Sequence, residues 1–352
     1  MHKQFLLAAL DQALLGRGFC APNPSVGAVV VHNGQIIAQA CHRGAGTPHA
    51  EQLLLAELPK NITDLTLYVT LEPCNHWGKT PPCVDAIIKY GIKKVVFAYC
   101  DPNPIVTSNN TPKILSEYEI EVLHYPLPEI DDFYQSYRYW TLTKKPWVTV
   151  KIAQSLDGKI AGFNNERINI SNERCSNFTH QQRLKSDIIL TTAKTVNNDD
   201  PLLNARVEGC EIPKTLAIID SHLTLNQDAN LFKKAKHCHI YYSEHEKINK
   251  TYINSTSHPI PVKSNLLDLE AIIYHIGALG YHDVWVEAGS SLFSALHAAR
   301  LVNKTYIYIA PIILGNKAIS LYQDISIFNN PHKLIWRKMN DNMILSIDWI
   351  LN

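Results

Sequence analysis

PHAE at residues 48–51 and TLEPCNHWGKTPPC at residues 70–83 are the two stretches of this chain that decide its fold. They contain His49, Cys74 and Cys83, which offer one imidazole and two thiolates to a metal ion. Such a set is typical of a catalytic zinc site, in which three protein ligands leave a fourth position open for water. Because zinc lowers the pKa of a bound water to about 7, hydroxide forms there at neutral pH. We therefore predict a catalytic site in which these three side chains hold one Zn²⁺.

A carboxylate stands beside the predicted ligands, since Glu51 follows His49 by two residues. From the start of the same predicted helix, Glu51 can face the metal without ligating it and can carry a proton from water to a leaving amine. This pattern is typical of zinc nucleobase deaminases, whose two cysteines are usually separated by two residues. Here the loop between Cys74 and Cys83 is longer. The ligand set is kept if this loop bulges outwards and Cys83 returns at the start of the next helix.

The segments around the ligands alternate between helical and extended patterns. The residues at 32–34, which include Asn33-Gly34, indicate a hairpin turn between two β-rich runs. The alternation predicts an α/β domain whose sheet is covered on both faces. In chain order we expect a helix over 3–15, strands at Val26–Val31 and Gln35–Cys41, a helix from His49 to about Leu58, a strand at Leu65–Leu71, a helix at Pro82–Tyr90, a strand at Lys94–Tyr99, and a further helix and strand within 112–124.

The alternation stops at Tyr125–Pro128, and an aromatic-rich segment, Phe133–Trp140, follows. We place a domain boundary near 145, before Pro146. The pattern then restarts, which predicts a second α/β domain. Its expected elements are strands at Trp147–Ala153, Ile188–Thr191, Thr215–Ile219, Val284–Glu287 and Tyr306–Ile309, and a helix near 173–185.

The bulk composition is that of an ordinary globular protein, with 46% apolar and 18% charged residues over 352 positions. A formal net charge of +1 gives no basic excess that would hold a nucleic acid by bulk electrostatics. The eight cysteines are scattered, unlike a compact disulfide framework, which favours a reducing compartment. The first segment lacks the apolar core of a signal peptide, and no apolar run approaches the ~20 residues that span a bilayer. We expect a cytoplasmic protein without a nucleic-acid or membrane partner.

The sequence resembles the bifunctional riboflavin biosynthesis proteins of the RibD family, in which a diaminohydroxyphosphoribosylaminopyrimidine deaminase is fused to a 5-amino-6-(5-phosphoribosylamino)uracil reductase. The segment 70–83 is the most specific mark, and 22–27 and 101–104 also match. The resemblance spans essentially the whole chain and is strongest up to about 106. It implies a cytidine-deaminase-like three-layer α/β/α domain at 1–145 and a dihydrofolate-reductase-like α/β domain at 146–352.

The resemblance also implies roles for residues of the first domain. His49, Cys74 and Cys83 would hold zinc, and Glu51 would transfer protons. The substrate would be 2,5-diamino-6-(5-phosphoribosylamino)pyrimidin-4(3H)-one, and we expect the chain to act on it as a homo-oligomer. The residues implied to line the substrate pocket are Asn23, His42, His76, Lys79, Asp101 and Asn103. One departure is the stretch 106–110, VTSNN, where the family usually has a Gly-rich loop.

Four segments of the second half resemble the reductase domain of the family: 150–160, 195–203 with Arg206, 219–221 and 287–292. In the last of them a predicted strand leads into a glycine and two serines that open a helix. Free backbone N–H groups and the helix dipole at such a point suit a cofactor phosphate.

The resemblance implies that the reductase uses NADPH to open the ribose ring to a ribityl chain. The implied cofactor contacts are Ala153, Thr195, Asp199, Ser221, Gly289, Ser290, Ser291, Leu292, Phe293, Ser294 and Ala295. The implied substrate contacts are Arg183, Leu203, Arg206 and Glu287. The two arginines suit a phosphate, because a guanidinium binds phosphate in a bidentate fashion.

The second half also departs from the family. Asn169 stands where a tryptophan would flank the nicotinamide, and Arg167 replaces a small substrate-contacting residue. Asn164-Asn165 stands where a glycine turn is usual. These departures leave open a deaminase-only enzyme with a degenerate reductase domain.

Two further alternatives make different predictions. A polynucleotide deaminase acting, for instance, on tRNA predicts a basic face and the short spacing between cysteines, and neither the net charge of +1 nor the eight-residue loop supports it. A structural zinc protein with a scaffold domain predicts a fourth protein ligand, which would have to be His42 or His76.

Overall fold

The computed structural model of the chain describes residues 1–60, 62–78, 80–107, 110–166, 168–248, 250–321 and 331–350. Within this part the chain divides into two compact units, Met1–Lys144 and Lys145–Asn352. Lys79, Arg167 and positions 108–109 of the altered loop lie outside the described residues. None of the described helices combines the length and the apolar character needed to cross a membrane.

The first unit is an α/β domain. Its elements are α1 (His2–Gly16), β1 (Gly27–His32), β2 (Gln35–Cys41), α2 (Ala50–Glu57), β3 (Thr66–Leu71), α3 (Cys83–Tyr90), β4 (Lys94–Tyr99), α4 (Pro104–Thr107), α5 (Thr111–Glu117), β5 (Glu121–His124) and α6 (Pro128–Thr143). Its described strands form one sheet in the order β2-β1-β3-β4-β5. β3, β4 and β5 run parallel, whereas β1 is antiparallel to β2 and β3. The carboxyl ends of β3 and β4 therefore share one edge, where ligand sites of such sheets form.

Helix α1 packs on this sheet through a stripe of buried residues that includes Phe5, Ala9 and Ala13. Their spacing of three to four residues is that of one helix face. The helix lies so close to β1 that a Cβ at Gly27 would stand 2.0 Å from the carbonyl oxygen of Ala9. Only glycine is therefore compatible with this approach of helix and strand.

Helix α6 is an element that the sequence pattern did not predict. It begins at Pro128, in the first turn, where the fixed φ of proline suits a helix and its missing N–H is not needed. Phe133, Tyr134 and Tyr137 are buried on the face that meets the core. The aromatic-rich segment is therefore part of the first unit's core.

The second unit is also α/β. Its elements are β6 (Trp147–Ser155), β7 (Lys159–Ala161), α7 (Glu173–Lys185), β8 (Ile188–Thr192), α8 (Ala193–Asp199), β9 (Ala205–Val207), β10 (Cys210–Ile212), β11 (Thr215–Ile219), α9 (Leu231–Lys234), β12 (His237–Ser243), β13 (Ser255–Ile260), β14 (Val262–Lys263), β15 (Leu266–Leu267), α10 (Leu269–Ala278), β16 (Asp283–Glu287), α11 (Ser290–Ala298), β17 (Lys304–Ala310), β18 (Ile319–Ser320), β19 (His332–Met339) and β20 (Asn342–Trp349).

Most of the longer strands of this unit join one mixed sheet. Among the described residues its order is β13-β12-β11-β8-β16-β6-β17-β20-β19. The strands from β13 to β17 are parallel, and β20 and β19 close the sheet as an antiparallel hairpin. The five strands expected from the sequence all lie in the middle of this sheet. The strands that were not expected, β12, β13, β19 and β20, extend its two sides.

Candidate functional site

Three elements of the first unit bring His49, Cys74 and Cys83 together. His49 immediately precedes α2, Cys74 follows β3, and Cys83 is the first residue of α3. The Nδ1 atom of His49 lies 3.3 Å from the Sγ of Cys83 and 3.4 Å from the Sγ of Cys74. One ligand atom from each residue lies within 4.8 Å of the other two. One nitrogen and two sulfurs at this separation suit zinc, which prefers imidazole and thiolate ligands.

Backbone N–H groups fix the positions of Cys74 and Cys83 relative to each other. The N–H of Cys83 donates to the Sγ of Cys74 at 3.3 Å, and the N–H of Val84 donates to the carbonyl oxygen of Cys74 at 3.2 Å. Hydrogen bonds from Cys83 and His49 lower the pKa of the Cys74 thiol although burial opposes them. Cys74 therefore favours the thiolate, which is the form that binds a metal, whereas the hydrogen bond with Cys74 and burial raise the pKa of the Cys83 thiol.

Gln52 ties the histidine to the same loop. Its Oε1 accepts from the backbone N–H of His49 at 3.3 Å, and its Nε2 donates to the carbonyl oxygen of Pro81 at 2.6 Å. Since Pro81 lies two residues before Cys83, the Gln52 side chain links the segment that carries His49 to the segment that carries Cys83. Sequence reasoning did not identify Gln52, although its position three residues after a helix-starting residue is that of a capping side chain.

Glu51 lies in the first turn of α2 and is only 3% exposed. It lines the same pocket as His49 and Cys74. Burial, reinforced by the negative charge of Cys74, raises the pKa of the Glu51 carboxyl to about 7. A carboxyl with a pKa near neutrality can both accept and release a proton at physiological pH.

The pocket at this edge of the sheet has a volume of about 240 Å³. It gathers five of the six residues that the sequence resemblance assigned to the substrate, and the sixth, Lys79, is not described. These five are Asn23, His42, His76, Asp101 and Asn103. Polar groups therefore face Glu51 from several segments of the first unit.

The two histidines of the pocket differ in their partners. Burial lowers the pKa of His42, so its ring is neutral at pH 7. The Nε2 atom of His42 lies 3.1 Å from the amide nitrogen of Asn23, and its Nδ1 lies 3.2 Å from the carbonyl oxygen of Pro48. Both ring nitrogens are thus engaged, and His42 does not supply a fourth metal ligand. The Nδ1 of His76 is buried and has no hydrogen-bond partner among the described residues. Because buried polar atoms are normally hydrogen-bonded, this nitrogen is available for a hydrogen bond with a bound ligand.

Tyr137 of α6 is a pocket residue that the sequence analysis missed. Its hydroxyl donates to the Oδ1 of Asp101 at 3.0 Å. The signal in the sequence was the spacing of Phe133, Tyr134 and Tyr137, which places all three on one face of a helix.

In the second unit, residues assigned to the cofactor lie where neighbouring parallel strands end. Ala153 is near the carboxyl end of β6, Thr195 follows β8 and Ser221 follows β11. Gly289 follows β16 and precedes α11, so all four positions belong to one edge of the sheet. Asp199 is exposed at the end of α8. This edge is where α/β sheets bind nucleotides.

The start of α11 fits a cofactor phosphate. Gly289 caps this helix without a side-chain hydrogen bond, so N–H groups of the first turn remain available. A Cβ built on Gly289 would meet no atom of the described residues within 4 Å, and packing among them therefore does not demand a glycine. The open space in front of the helix suits a group that approaches the backbone closely.

Arg183 and Glu287, both assigned to the reductase substrate, form a partly buried ion pair. The Nε and Nη2 atoms of Arg183 donate to the two carboxylate oxygens of Glu287 at 2.6 and 2.9 Å. Arg183 Nη1 donates to the carbonyl oxygen of Asn204 at 3.0 Å.

The other two residues assigned to the reductase substrate differ in exposure. Leu203 is buried with a φ of 49°, whereas Arg206 is exposed. Arg206 therefore has the guanidinium that is better placed to grip a phosphate.

The departures from the family are visible in this unit. Asn169, at the expected position of a tryptophan, is exposed. Asn164 has a φ of 55° and so provides the left-handed conformation for which the family uses a glycine.

Glu287→Gln is expected to lower the free energy of unfolding of the second unit by about 2 kcal/mol at pH 7, because it leaves the partly buried Arg183 without its counter-charge. Burial by itself would raise the pKa of Glu287, but the attraction of Arg183 and the hydrogen bonds outweigh it and lower the pKa to about 2. An unfolded glutamate titrates near ~4.3. The pair therefore stabilises the folded unit above that pH, and the contribution is lost as the pH falls towards 2.

Urea unfolding of the full chain at several pH values measures this effect. Glu270→Gln is the matched control, because the Glu270 side chain is exposed in its ion pair with Lys145 and such pairs contribute little. The two chains should converge in stability as the pH falls. Equal stability of Glu287→Gln and the parent chain at pH 7 would contradict the prediction.

Comparison with known proteins matches each of the two units to a family model. The family model described as cytidine and deoxycytidylate deaminase zinc-binding region matches residues 1–99. The model for the RibD C-terminal domain matches residues 146–344. The riboflavin biosynthesis protein RibD of Haemophilus influenzae is 35% identical over 335 residues, which cover 91% of this chain and 88% of that protein. RibD of Escherichia coli is 32% identical over 336 residues, which cover 91% of each chain.

A solved structure extends the similarity to three dimensions. It is a diaminohydroxyphosphoribosylaminopyrimidine deaminase/5-amino-6-(5-phosphoribosylamino)uracil reductase from Thermotoga maritima, with a TM-score of 0.85, 28% identity and 99% of each chain covered. The expected fold class, a cytidine-deaminase-like domain followed by a reductase domain, is confirmed. Because the RibD C-terminal match covers more than half of the chain and the relatives match along nearly all of it, this chain belongs to the RibD family.

Proposed function

We propose that this chain catalyses two consecutive steps of riboflavin biosynthesis. The first unit deaminates 2,5-diamino-6-(5-phosphoribosylamino)pyrimidin-4(3H)-one, and the second unit reduces the ribosyl group of the product to a ribityl chain. The observation that carries the proposal is the convergence of His49, Cys74, Cys83 and Glu51 at one pocket, in a chain whose relatives carry both activities along nearly its whole length.

In the first unit, His49, Cys74 and Cys83 hold Zn²⁺. When bound, zinc supplies an activated water to the pocket. Glu51 takes a proton and later delivers it to the leaving amine, in line with its burial and its raised pKa. The substrate-binding role of Asn23, His42, His76, Lys79, Asp101 and Asn103 is part of the proposal. The Nδ1 of His76, which is buried and has no hydrogen-bond partner in the part of the chain that the structure describes, supports it in particular.

In the second unit, NADPH would when bound supply the hydride that, with a proton, reduces the ring-opened ribosyl group to the ribityl chain. The backbone at Gly289–Ala295 holds a phosphate of the cofactor, and Ala153, Thr195, Asp199 and Ser221 contact it from neighbouring strands. Arg206 grips the substrate phosphate, while Arg183, Leu203 and Glu287 complete the substrate site. Support comes from their common location at the carboxyl edge of the sheet and from the free helix N-terminus.

Gly289→Asp is expected to raise the KM for NADPH by about tenfold or more, because the new carboxylate repels the phosphate at the start of α11. Folding should be kept, since aspartate is a preferred residue at a helix N-cap and no atom lies within 4 Å of the added Cβ. Steady-state NADPH oxidation measures the KM. Gly289→Ala is the control that adds bulk without charge. An unchanged KM in Gly289→Asp would contradict the assignment of this helix to the cofactor.

Two assays on the full, zinc-loaded chain test the whole proposal. Ammonia release from the diaminopyrimidine substrate reports the deaminase, and NADPH oxidation on the deaminated product reports the reductase. Ammonia release without NADPH oxidation would favour the second candidate, a deaminase-only enzyme. The observation that favours this candidate is the exposed Asn169 in place of the tryptophan that would flank the nicotinamide.

The domain assignment, location and assembly are also proposals. We place the deaminase domain at 1–145 and the reductase domain at 146–352, in line with the division of the chain after Lys144. A cytoplasmic location is supported by the eight cysteines, none of which forms a disulfide within the described residues. A homo-oligomer is supported by the outer strand β19, whose Leu334, Ile335 and Trp336 are exposed and whose outer edge can pair with the same edge of a second copy.

A further inference from the structure

The contact between α6 and Asp101 joins the last helix of the first unit to the pocket. Asp101 follows β4, is 6% exposed and lines the pocket. Its Oδ1 accepts two hydrogen bonds, one from the hydroxyl of Tyr137 at 3.0 Å and one from the backbone N–H of Asn103 at 2.9 Å. Tyr137 is 7% exposed and also lines the pocket. One carboxylate oxygen is therefore held by donors from two different segments.

We propose that Tyr137 is a positioning residue for deamination, which holds the Asp101 carboxylate in the orientation that accepts hydrogen bonds from the donor edge of the aminopyrimidine. The inference rests on the proposed deaminase function. Tyr137 acts through Asp101, and it does not take part in the proton transfer assigned to Glu51.

The protonation of the pair supports this arrangement. Burial raises the pKa of Tyr137 well above its usual range, so the hydroxyl keeps its proton and donates. Burial also raises the pKa of Asp101, to about 6, against the opposing effect of its hydrogen bonds with Asn103 and Tyr137. Asp101 is thus mostly ionised at neutral pH, and an ionised carboxylate is an acceptor only. A carboxylate held in this way can select N–H groups of a ligand.

Asp101 and Tyr137 lie beyond the part of the chain that matches the zinc-binding region of other deaminases. The zinc-binding region shared with cytidine and deoxycytidylate deaminases ends at residue 99. Asp101 and Tyr137 both follow this region, and 36 residues separate them. The hydroxyl of Tyr137 therefore comes from outside the matched region and reaches a pocket that residues of this region line together with Asp101 and Asn103.

Tyr134 shows what a purely structural tyrosine does on the same helix. It is 1% exposed, and its hydroxyl donates to the carbonyl oxygen of Ser25 at 2.9 Å and contacts the Oγ1 of Thr70 at 2.6 Å. These partners lie before β1 and within β3, so this hydroxyl fastens α6 to the sheet. Tyr134→Phe is therefore a matched control, which removes the same atom from the same helix.

Tyr137→Phe in the full, zinc-loaded chain tests the inference. We expect the KM of deamination to rise by about tenfold, with kcat within about twofold of the parent, because a hydrogen bond to a charged acceptor is lost while the phenyl ring still fills its place. Zinc content and NADPH oxidation should not change. Tyr134→Phe should lower the unfolding temperature and leave the KM as it is.

A double-mutant cycle with Asp101→Asn separates positioning from packing. Asp101→Asn should raise the KM by itself, and adding Tyr137→Phe should then change it by less than about twofold, since the two residues act as a unit. Independent, multiplicative effects would overturn the inference, because Tyr137 would then act without Asp101. An active parent chain whose KM is unchanged in Tyr137→Phe would overturn the inference alone. A parent chain that releases no ammonia would overturn the proposed deaminase function and this inference with it.

Discussion

Glu51→Gln is expected to reduce deamination by about 10³-fold while the chain keeps its zinc. The amide has nearly the shape of the carboxylate, but it cannot accept and return a proton. Glu51 is buried and lies in the first turn of α2 beside His49, so the change removes the proton carrier without removing a ligand. Ammonia release measures the loss, and elemental analysis of the purified chain measures the zinc.

NADPH oxidation on the deaminated product is the internal control for Glu51→Gln, because this reaction belongs to the second unit. Gln52 next to it offers a different comparison, since its side chain bridges the N–H of His49 and the carbonyl oxygen of Pro81. Gln52→Ala should weaken zinc binding and deamination together. A Glu51→Gln chain that loses zinc and still deaminates would show that the roles are assigned wrongly.

His49→Ala should abolish both zinc binding and deamination. Removal of a residue that only supports a metal ligand costs roughly 10–100-fold in metal affinity, and removal of a ligand costs more. Two thiolates alone would remain from a set whose atoms lie within 4.8 Å of one another. The first unit should also unfold at a lower temperature, because a bound metal stabilises only the folded chain.

Two measurements on His49→Ala check this prediction, namely the zinc content by elemental analysis and the deaminase activity by ammonia release. His32→Ala, at the turn between β1 and β2, is the matched control and should keep the metal. Full zinc content in His49→Ala would contradict the ligand assignment. Loss of NADPH oxidation in the same protein would show instead that the variant has failed to fold as a whole.

The convergence of His49, Cys74 and Cys83 could be predicted from the sequence because its logic is chemical. One histidine and two cysteines close to a glutamate are typical of a metal site. The segments that carry them belong to a regular alternation of strands and helices, which the sequence pattern also indicates. The long spacing between Cys74 and Cys83 did not prevent the prediction, since a strand end and a helix start fix both positions regardless of the loop.

Helix α6 and the role of Tyr137 could not be predicted in the same way. The prolines at Tyr125–Pro128 indicate an interruption, and they are equally compatible with a linker and with a helix that begins at its proline. The partner of Tyr137 lies 36 residues away, after a different strand. Only tertiary packing brings the two together, and no local pattern contains that information.

The outer strands of the second unit were missed for another reason. The residues of β19 are exposed over most of its length, so the alternation of buried and exposed positions that indicates a strand is lacking. β12 is buried along nearly all of its length, but His237 and His239 interrupt the apolar run that would have marked it. The strand conformation of β12 and β19 therefore depends on pairing with neighbouring strands and is not indicated by their residue types alone.

The backbone bonds between Cys83 and Cys74 have a consequence for how such enzymes evolve. Because the N–H groups of Cys83 and Val84 bond directly to Cys74, the ligand pair is closed at its base and the intervening loop carries little of its geometry. Lengthening a closed loop is inexpensive, at about 0.6 kcal/mol for each doubling. Insertions between Cys74 and Cys83 can therefore be accommodated while the two sulfurs keep their positions. The length of this segment is thus a part of the site in which members of the family can differ with little loss of stability.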